Sequence, residues 1–203
     1  HLYARRQRQM CIRDRVYTLA QRNSLPEMFN ELLEMNRKAY EEEGVNIRPV
    51  FPPRAIGILL GLQASQTPFS GCPTFKKLND LPLAEKVAKL KDPAIREQIL
   101  SEDPVKESTF PLIHRMSYKY MFPFTDKNYQ PQENESMEAK AEGSNATAAE
   151  LAYDWLVDNN GKNFLYMPIT NYSDFSLSAS EKLLGEKMAI MGLGDGGAHV
   201  GFI

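Results

Sequence analysis

Histidine and cysteine are scarce, with three of one and two of the other in 203 residues. Two cysteines, Cys11 and Cys72, cannot build the disulfide framework that holds small secreted domains together. No apolar run approaches the roughly 20 residues that a helix needs to cross a bilayer, and the first residues lack the apolar stretch of a secretory signal. The expectation is a cytoplasmic protein without a membrane partner. Charge of one sign is not in surplus either: 24 Lys and Arg stand against 26 Asp and Glu, a formal charge of −2, which gives no electrostatic basis for binding nucleic acid. What is present, 42% hydrophobic and 25% charged residues, is ordinary globular composition, enough for one good-sized core or two small ones.

The basic exception is residues 1–15, HLYARRQRQMCIRDR, with five arginines and one aspartate. A run of this kind reads as a nucleic-acid or membrane arm, or as sequence foreign to the protein. The second reading is adopted, because RRQRQMCIRDR is the translation of the transposase-end adapter used to prepare sequencing libraries, and such scars are set aside before fold reasoning. Without those residues the formal charge becomes −6, and Cys72, His114 and His199 are the only cysteine and histidines left. An open frame that begins in an adapter and runs to Ile203 is expected to be a fragment, with 16–203 as its native part.

Residues 16–20 read as a short buried strand. Ser24-Leu-Pro-Glu27 has the form of a capping box with an early proline, so a helix is expected to begin there. Met28, Leu32, Leu33, Met35 and Ala39 recur at helical spacing until Gly44 supplies a stop. A second strand follows at 45–51 and is broken by Pro52 and Pro53; strand, helix and strand in this order are most simply joined as a parallel βαβ unit. Over residues 54–140 the alternation lapses for longer than an ordinary connection, and the helical insertion is placed at 58–140. Two short amphipathic helices are expected inside it, at 83–90 and 93–100, the second capped by Asp92 with Pro93 in its first turn. Alternation returns with a helix at 147–157 ended by Asn159-Asn160-Gly161, a strand at 164–169, a helix near 178–184 and a strand at 188–191. The fold class is α/β, with four strands and three crossovers.

An open doubly wound sheet and a closed barrel both place ligands beyond the carboxyl ends of their strands. That rule selects Phe51-Pro-Pro-Arg54, Thr170-Asn171-Tyr172 and Gly192-Leu-Gly-Asp195-Gly-Gly-Ala-His199. The third segment contains a formal GxGxxG, but a dinucleotide loop cradles pyrophosphate at a helix N-terminus, and Asp195 would set a negative charge beside it. A plain glycine turn with a solvated aspartate is a second reading. In a third, the glycines, Gly196 among them, make room for a substrate beside Asp195 acting as a general base.

GLGDGGAHVG is similar to the segment around the last barrel strand of the N-acyl-D-amino-acid deacylases of the amidohydrolase superfamily. Arg54-Ala-Ile-Gly-Ile-Leu-Leu-Gly-Leu, Pro68-Phe, Leu81-Pro-Leu-Ala-Glu-Lys-Val, Asp92-Pro-Ala-Ile-Arg, Glu135-Ser136 and Ala149-Glu-Leu-Ala-Tyr-Asp154 resemble the family in the same order, so the likeness runs from Val16 to Ile203. It implies the C-terminal half of a (β/α)8 TIM barrel of amidohydrolase type, and an enzyme that cleaves the linear amide of an N-acyl-D-amino acid. It further implies one or two zinc ions, with Asp195 serving as base and then acid on a metal-bound water. Their ligands are placed upstream of Val16, so none is expected in this fragment, which is expected to be inactive alone. His199 matches a family position near the site and is a candidate for holding Asp195 or the substrate, or a packed, hydrogen-bonded structural histidine. Arg54 is a candidate for the substrate carboxylate through paired hydrogen bonds, or a structural arginine. Asn171 and Tyr172 are candidates for orienting the acyl group, or a turn with a capping asparagine. Cys72 and His114 read as structural. Two alternatives stand beside this: another amidohydrolase acting on cyclic amides, and a non-catalytic binding protein on the same barrel.

Overall fold

A computed structural model of the chain describes residues 15–106, 108, 116–125 and 128–192. In chain order the elements are β1 (Arg15–Thr18), α1 (Met28–Glu43), β2 (Ile47–Phe51), β3 (Ile56–Gly61), α2 (Pro73–Lys76), α3 (Leu83–Leu90), α4 (Pro93–Ser101), β4 (Phe122–Pro123), α5 (Met137–Glu142), α6 (Ala148–Gly161), β5 (Phe164–Thr170), α7 (Ser178–Gly185) and β6 (Ile190–Met191). The protein is therefore mixed α/β. No described helix is long and apolar enough to cross a membrane. The chain divides into two compact units, with changes from one to the other at Ile56/Gly57 and Pro168/Ile169.

The first unit carries a three-stranded sheet in the order β1-β2-β6. All its pairings are parallel, with Val16 opposite Arg48, Thr18 opposite Val50, and Val50 opposite Ile190. Helix α1 joins β1 to β2, as the strand-helix-strand spacing predicts. Gly44 ends it in the left-handed region at φ 65°, its N–H donating to the Tyr40 carbonyl, a conformation that glycine adopts without a Cβ penalty. The helix starts later than the Ser24 box suggests. Turn bonds from Leu25 N–H to the Arg22 carbonyl and from Met28 N–H to the Leu25 carbonyl occupy the residues before it, and the Glu27 carboxylate accepts from Asn30 Nδ2 at 2.8 Å. The core of this unit is Leu19, Phe29, Leu33, Phe51, Ala179 and Leu183. Burying each large apolar side chain contributes roughly 1.5–3 kcal/mol over leaving it in water. Along the two outer strands Val16 and Met191 stay 67% and 62% exposed.

The second unit is built on a sheet in the order β3-β5-β4, with β4 antiparallel to β5. The sequence reading takes 54–140 as free of strands, and β3 was hidden by its two glycines, which lower strand propensity. The structure explains them: a Cβ at Gly57 would meet the Tyr166 ring, and one at Gly61 would lie 2.6 Å from Phe164 Cδ1. These glycines let the aromatic residues of β5 cover β3. Helices α3 and α4 stand where their periodicity places them, and the Asp92 carboxylate caps α4 by accepting from Ala94 N–H at 2.9 Å. Helix α6 opens with a reciprocal capping box between Thr147 and Glu150. It leaves helical geometry at Asp158 and passes through left-handed Asn159, Asn160 and Gly161 at φ 49°, 55° and 73°. Asparagine and glycine tolerate that region best. Tyr153 Oη ties α6 to α3 by donating to the Leu90 carbonyl at 2.9 Å.

Candidate functional site

The three segments chosen from the sequence follow β2, β5 and β6, and the first unit brings their beginnings to one place. The Gly192 N–H donates to the Phe51 carbonyl at 2.9 Å, so β6 leaves the sheet beside β2 and at the same end. A Cβ on Gly192 would run into Val50 Cγ1, so glycine here permits a close approach of backbone to side chain. Gly192 is the last described residue of this stretch; Asp195, Gly196 and His199 lie outside the described residues, as does His114.

Asn171 organises the ends of the other strands. It is fully buried and sits in the left-handed region at φ 57°. Its Oδ1 accepts the Gln21 N–H at 2.7 Å, and its own N–H donates to the Gln21 carbonyl at 2.9 Å. Its Nδ2 donates to the carbonyls of Pro52 and Arg54 at 3.2 and 3.3 Å. One amide thereby fastens the exits of β1, β2 and β5 to each other. Gln21, also buried, adds a bond from its Oε1, which accepts the Ser173 N–H at 3.2 Å. Sequence reasoning passed over Gln21, and a single glutamine after a strand carries no pattern that would have marked it.

Tyr172 is fully buried beside Asn171. Arg54 is half-buried, and its Nη1 donates to the Ala55 carbonyl at 3.2 Å. Of the sequence candidates, then, Arg54, Asn171 and Tyr172 come together at the strand exits, and the amide of Asn171 is engaged with backbone.

A cleft of about 390 Å³ opens in the same unit, lined among others by Gln21, Glu27, Asn30, Asp174, Ser178 and Lys182. Lys182 Nζ donates to Asn30 Oδ1 at 2.6 Å and stands 5.7 Å from the centre of the Phe29 ring. Burial raises the pKa of Asp174, but hydrogen bonds from the hydroxyls of Ser178 and Ser176 and from backbone N–H groups outweigh it and hold the carboxyl below its usual value. Those bonds organise the entry to α7.

Zinc requires several convergent nitrogen, sulfur or oxygen ligands. Among the described residues no group of three or more His, Cys, Asp or Glu side chains is placed to hold a metal. Cys72 is fully buried in the second unit, its Sγ 3.7 Å from the Ile99 carbonyl. Burial pushes its thiol up to about 12, with Glu102 and Asp103 adding to the rise. A thiol held protonated is a poor ligand. The described residues therefore do not fit a zinc site.

No family model, curated protein or solved structure matches the chain.

Proposed function

We propose that the chain is the part of an amidohydrolase that carries its general base, Asp195, and that the enzyme cleaves the amide bond of N-acyl-D-amino acids. The observation that carries this reading is the Gly192 N–H to Phe51 carbonyl bond of 2.9 Å. It sends the chain towards Asp195 from the carboxyl end of a parallel sheet, the end where α/β folds bind their ligands. The likeness of GLGDGGAHVG and its companion segments to the N-acyl-D-amino-acid deacylases supplies the reaction. The two outer strands, β1 and β6, agree with a sheet that continues on both sides, as it would in the C-terminal half of a (β/α)8 barrel.

In this reading Asp195 takes the proton of the attacking water and returns it to the departing amine, so that one carboxylate acts as base and then acid. Arg54 and His199 bind the substrate, with the Arg54 guanidinium paired to its carboxylate. The Asn171 amide holds the strand exit from which Arg54 extends, with Tyr172 buried beside it. Zinc is the metal that the resemblance implies, and since the described residues do not fit it, its ligands belong to other parts of the enzyme.

The test uses the enzyme encoded by the uninterrupted gene. Hydrolysis of N-acetyl-D-amino acids, with little of the L-forms, is expected, together with loss on chelation and recovery with zinc. Asp195→Asn is expected to lower kcat by about 10²–10⁴, the range for removing a general base. Residues 16–203 alone are expected to be inactive. Turnover confined to cyclic amides, or an Asp195→Asn enzyme with unchanged kcat, overturns the assignment.

A further inference from the structure

Helix α1 carries more apolar surface than its own core uses. Phe29 and Leu33 enter the core of the first unit. Met28, Leu32, Met35 and Ala39 follow one another at i, i+4, i+7 and i+11, the spacing of a single helical stripe. Leu32 and Ala39 are half-buried, but Met28 is 41% and Met35 64% exposed. At roughly 3.6 residues per turn the stripe lies roughly 110° round the helix from Phe29 and Leu33, and on the side opposite Asn30 and Arg37. Those two residues reach α7, Asn30 through the bond from Lys182 at 2.6 Å and Arg37 through its ion pair with Glu186 at 2.9 Å. Helix α7 therefore flanks α1 on one side, and the apolar stripe faces the other.

The sheet beneath ends on that same side. Helix α7 leads into β6, beyond β2, so the side of α1 away from α7 is the β1 side. Among the described residues β1 is an outer strand paired to β2, and Val16 on it is exposed. Arg15 and Leu19 give their N–H groups to the Asn46 and Val50 carbonyls, so the alternate residues Val16 and Thr18 turn theirs to the outer edge. An edge of this kind is a template for another strand. A right-handed crossover that adds a parallel strand beside β1 sets its helix on the face that carries α1, next to the stripe. The relation of α7 to α1 would then be repeated one step further along the layer. Residues 1–14 lie outside the described residues and are too few for a strand together with a crossover of about a dozen residues or more.

Charge narrows the occupant. Helix α1 holds five glutamates against one arginine and one lysine, and Glu31 and Glu42 stand exposed on the solvent flank of the stripe. A second copy would bring this acidic flank against itself, whereas a helix with lysine or arginine beside its own apolar stripe complements it.

We propose that the β1 edge and the Met28–Met35 stripe dock a strand–helix unit: a strand that extends the sheet parallel to β1, joined to an amphipathic helix with a basic flank. The inference rests on the barrel of the proposed function and not on its reaction, the unit being the part of that barrel before Val16. The test is methionine oxidation by hydrogen peroxide, read residue by residue by mass spectrometry, in the 203-residue chain and in the enzyme encoded by the uninterrupted gene. In the chain, Met28 and Met35 are expected to oxidise within a few-fold of their rates in urea, independently of concentration; in the enzyme both are expected to be at least about tenfold slower. Met35→Lys is expected to lower the thermal midpoint of the enzyme by several degrees and to leave that of the chain unchanged. Glu31→Lys with Glu42→Lys is expected to restore part of the oxidation in the enzyme, and undiminished protection in that variant overturns the basic flank. Equal rates in chain and enzyme overturn the proposal. So does protection in the chain alone, which assigns the stripe to the chain's own residues or, if it grows with concentration, to a second copy. Protected methionines in an enzyme that cleaves no N-acyl-D-amino acid uphold the docking and remove only the reaction, and a D-selective hydrolase with unprotected methionines does the converse.

Discussion

Asn171 and Gln21 hold each other through two bonds, the side-chain oxygen of Asn171 taking the Gln21 N–H at 2.7 Å and the Asn171 N–H giving to the Gln21 carbonyl at 2.9 Å. Replacing Asn171 by alanine removes the acceptor, abandons two carbonyls and leaves a Cβ-bearing residue without compensation at φ 57°. The expected loss is about 2–4 kcal/mol, from buried groups left unsatisfied and from left-handed strain. Asn171→Gly, which removes the strain alone, should recover about 1 kcal/mol of it. Urea unfolding of the three proteins measures both, and equal midpoints would show that the clamp contributes nothing.

Gly192 and Val50 form a second coupled pair. Gly192→Ala is expected to lower stability by about 1–3 kcal/mol through overpacking against Val50. The double variant Gly192→Ala with Val50→Ala should lose less than the sum of the two single changes, because the smaller residue at 50 admits the new methyl. A double-mutant cycle on denaturation midpoints reads the coupling, and strict additivity would refute the contact.

Cys72 predicts alkaline behaviour. Its folded thiol is pushed up to about 12 against an ordinary 9.0, so between those values the unfolded chain releases a proton that the folded one keeps. Its contribution to stability is therefore unchanged below pH 9.0 and falls progressively as pH rises from there towards 12. The thiol should also resist a disulfide reagent at pH 8 until denaturant is added. A Cys72→Ala protein is expected to lose stability less steeply above pH 9 than the parent, and an equally steep decline would assign the effect to other groups.

Asp174 predicts the opposite limb. Its folded carboxyl sits below the ordinary 3.8, so its contribution is complete above that value and disappears as pH falls through the lower folded value. Unfolding curves from pH 5 downward should show a shallower acid loss in Asp174→Asn than in the parent. Ser178→Ala should move the midpoint of that limb upward, since it removes a hydrogen bond to the charged form.

The local grammar of the chain was readable where one element decides its own limits. Asp92 with Pro93, Asn159-Asn160-Gly161, and Gly44 marked helix ends that the structure reproduces, because caps and left-handed stops depend on neighbours in sequence. Strand β3 was not readable, since Gly57 and Gly61 make sense only beside Tyr166 and Phe164, more than a hundred residues away. The Ser24 box misled for a related reason: turn bonds at Leu25 and Met28 hold the residues before the helix, and the Glu27 carboxylate takes Asn30 Nδ2. At the strand exits, Arg54, Asn171 and Tyr172 could be chosen from a rule about strand ends. That Asn171 would bond to backbone on two distant segments, at Gln21 and at Pro52 and Arg54, could not, because its partners are defined by folding and not by spacing.

The Asn171 clamp grips Pro52 and Arg54 by their carbonyl oxygens, which every amino acid possesses. Evolution can therefore rewrite the side chain at position 54, exchanging a guanidinium for a hydroxyl or an alkyl group, and leave the joint intact. The architecture separates what must be inherited from what is open to adaptation, and it concentrates the latitude at the rim, where a new specificity would arise.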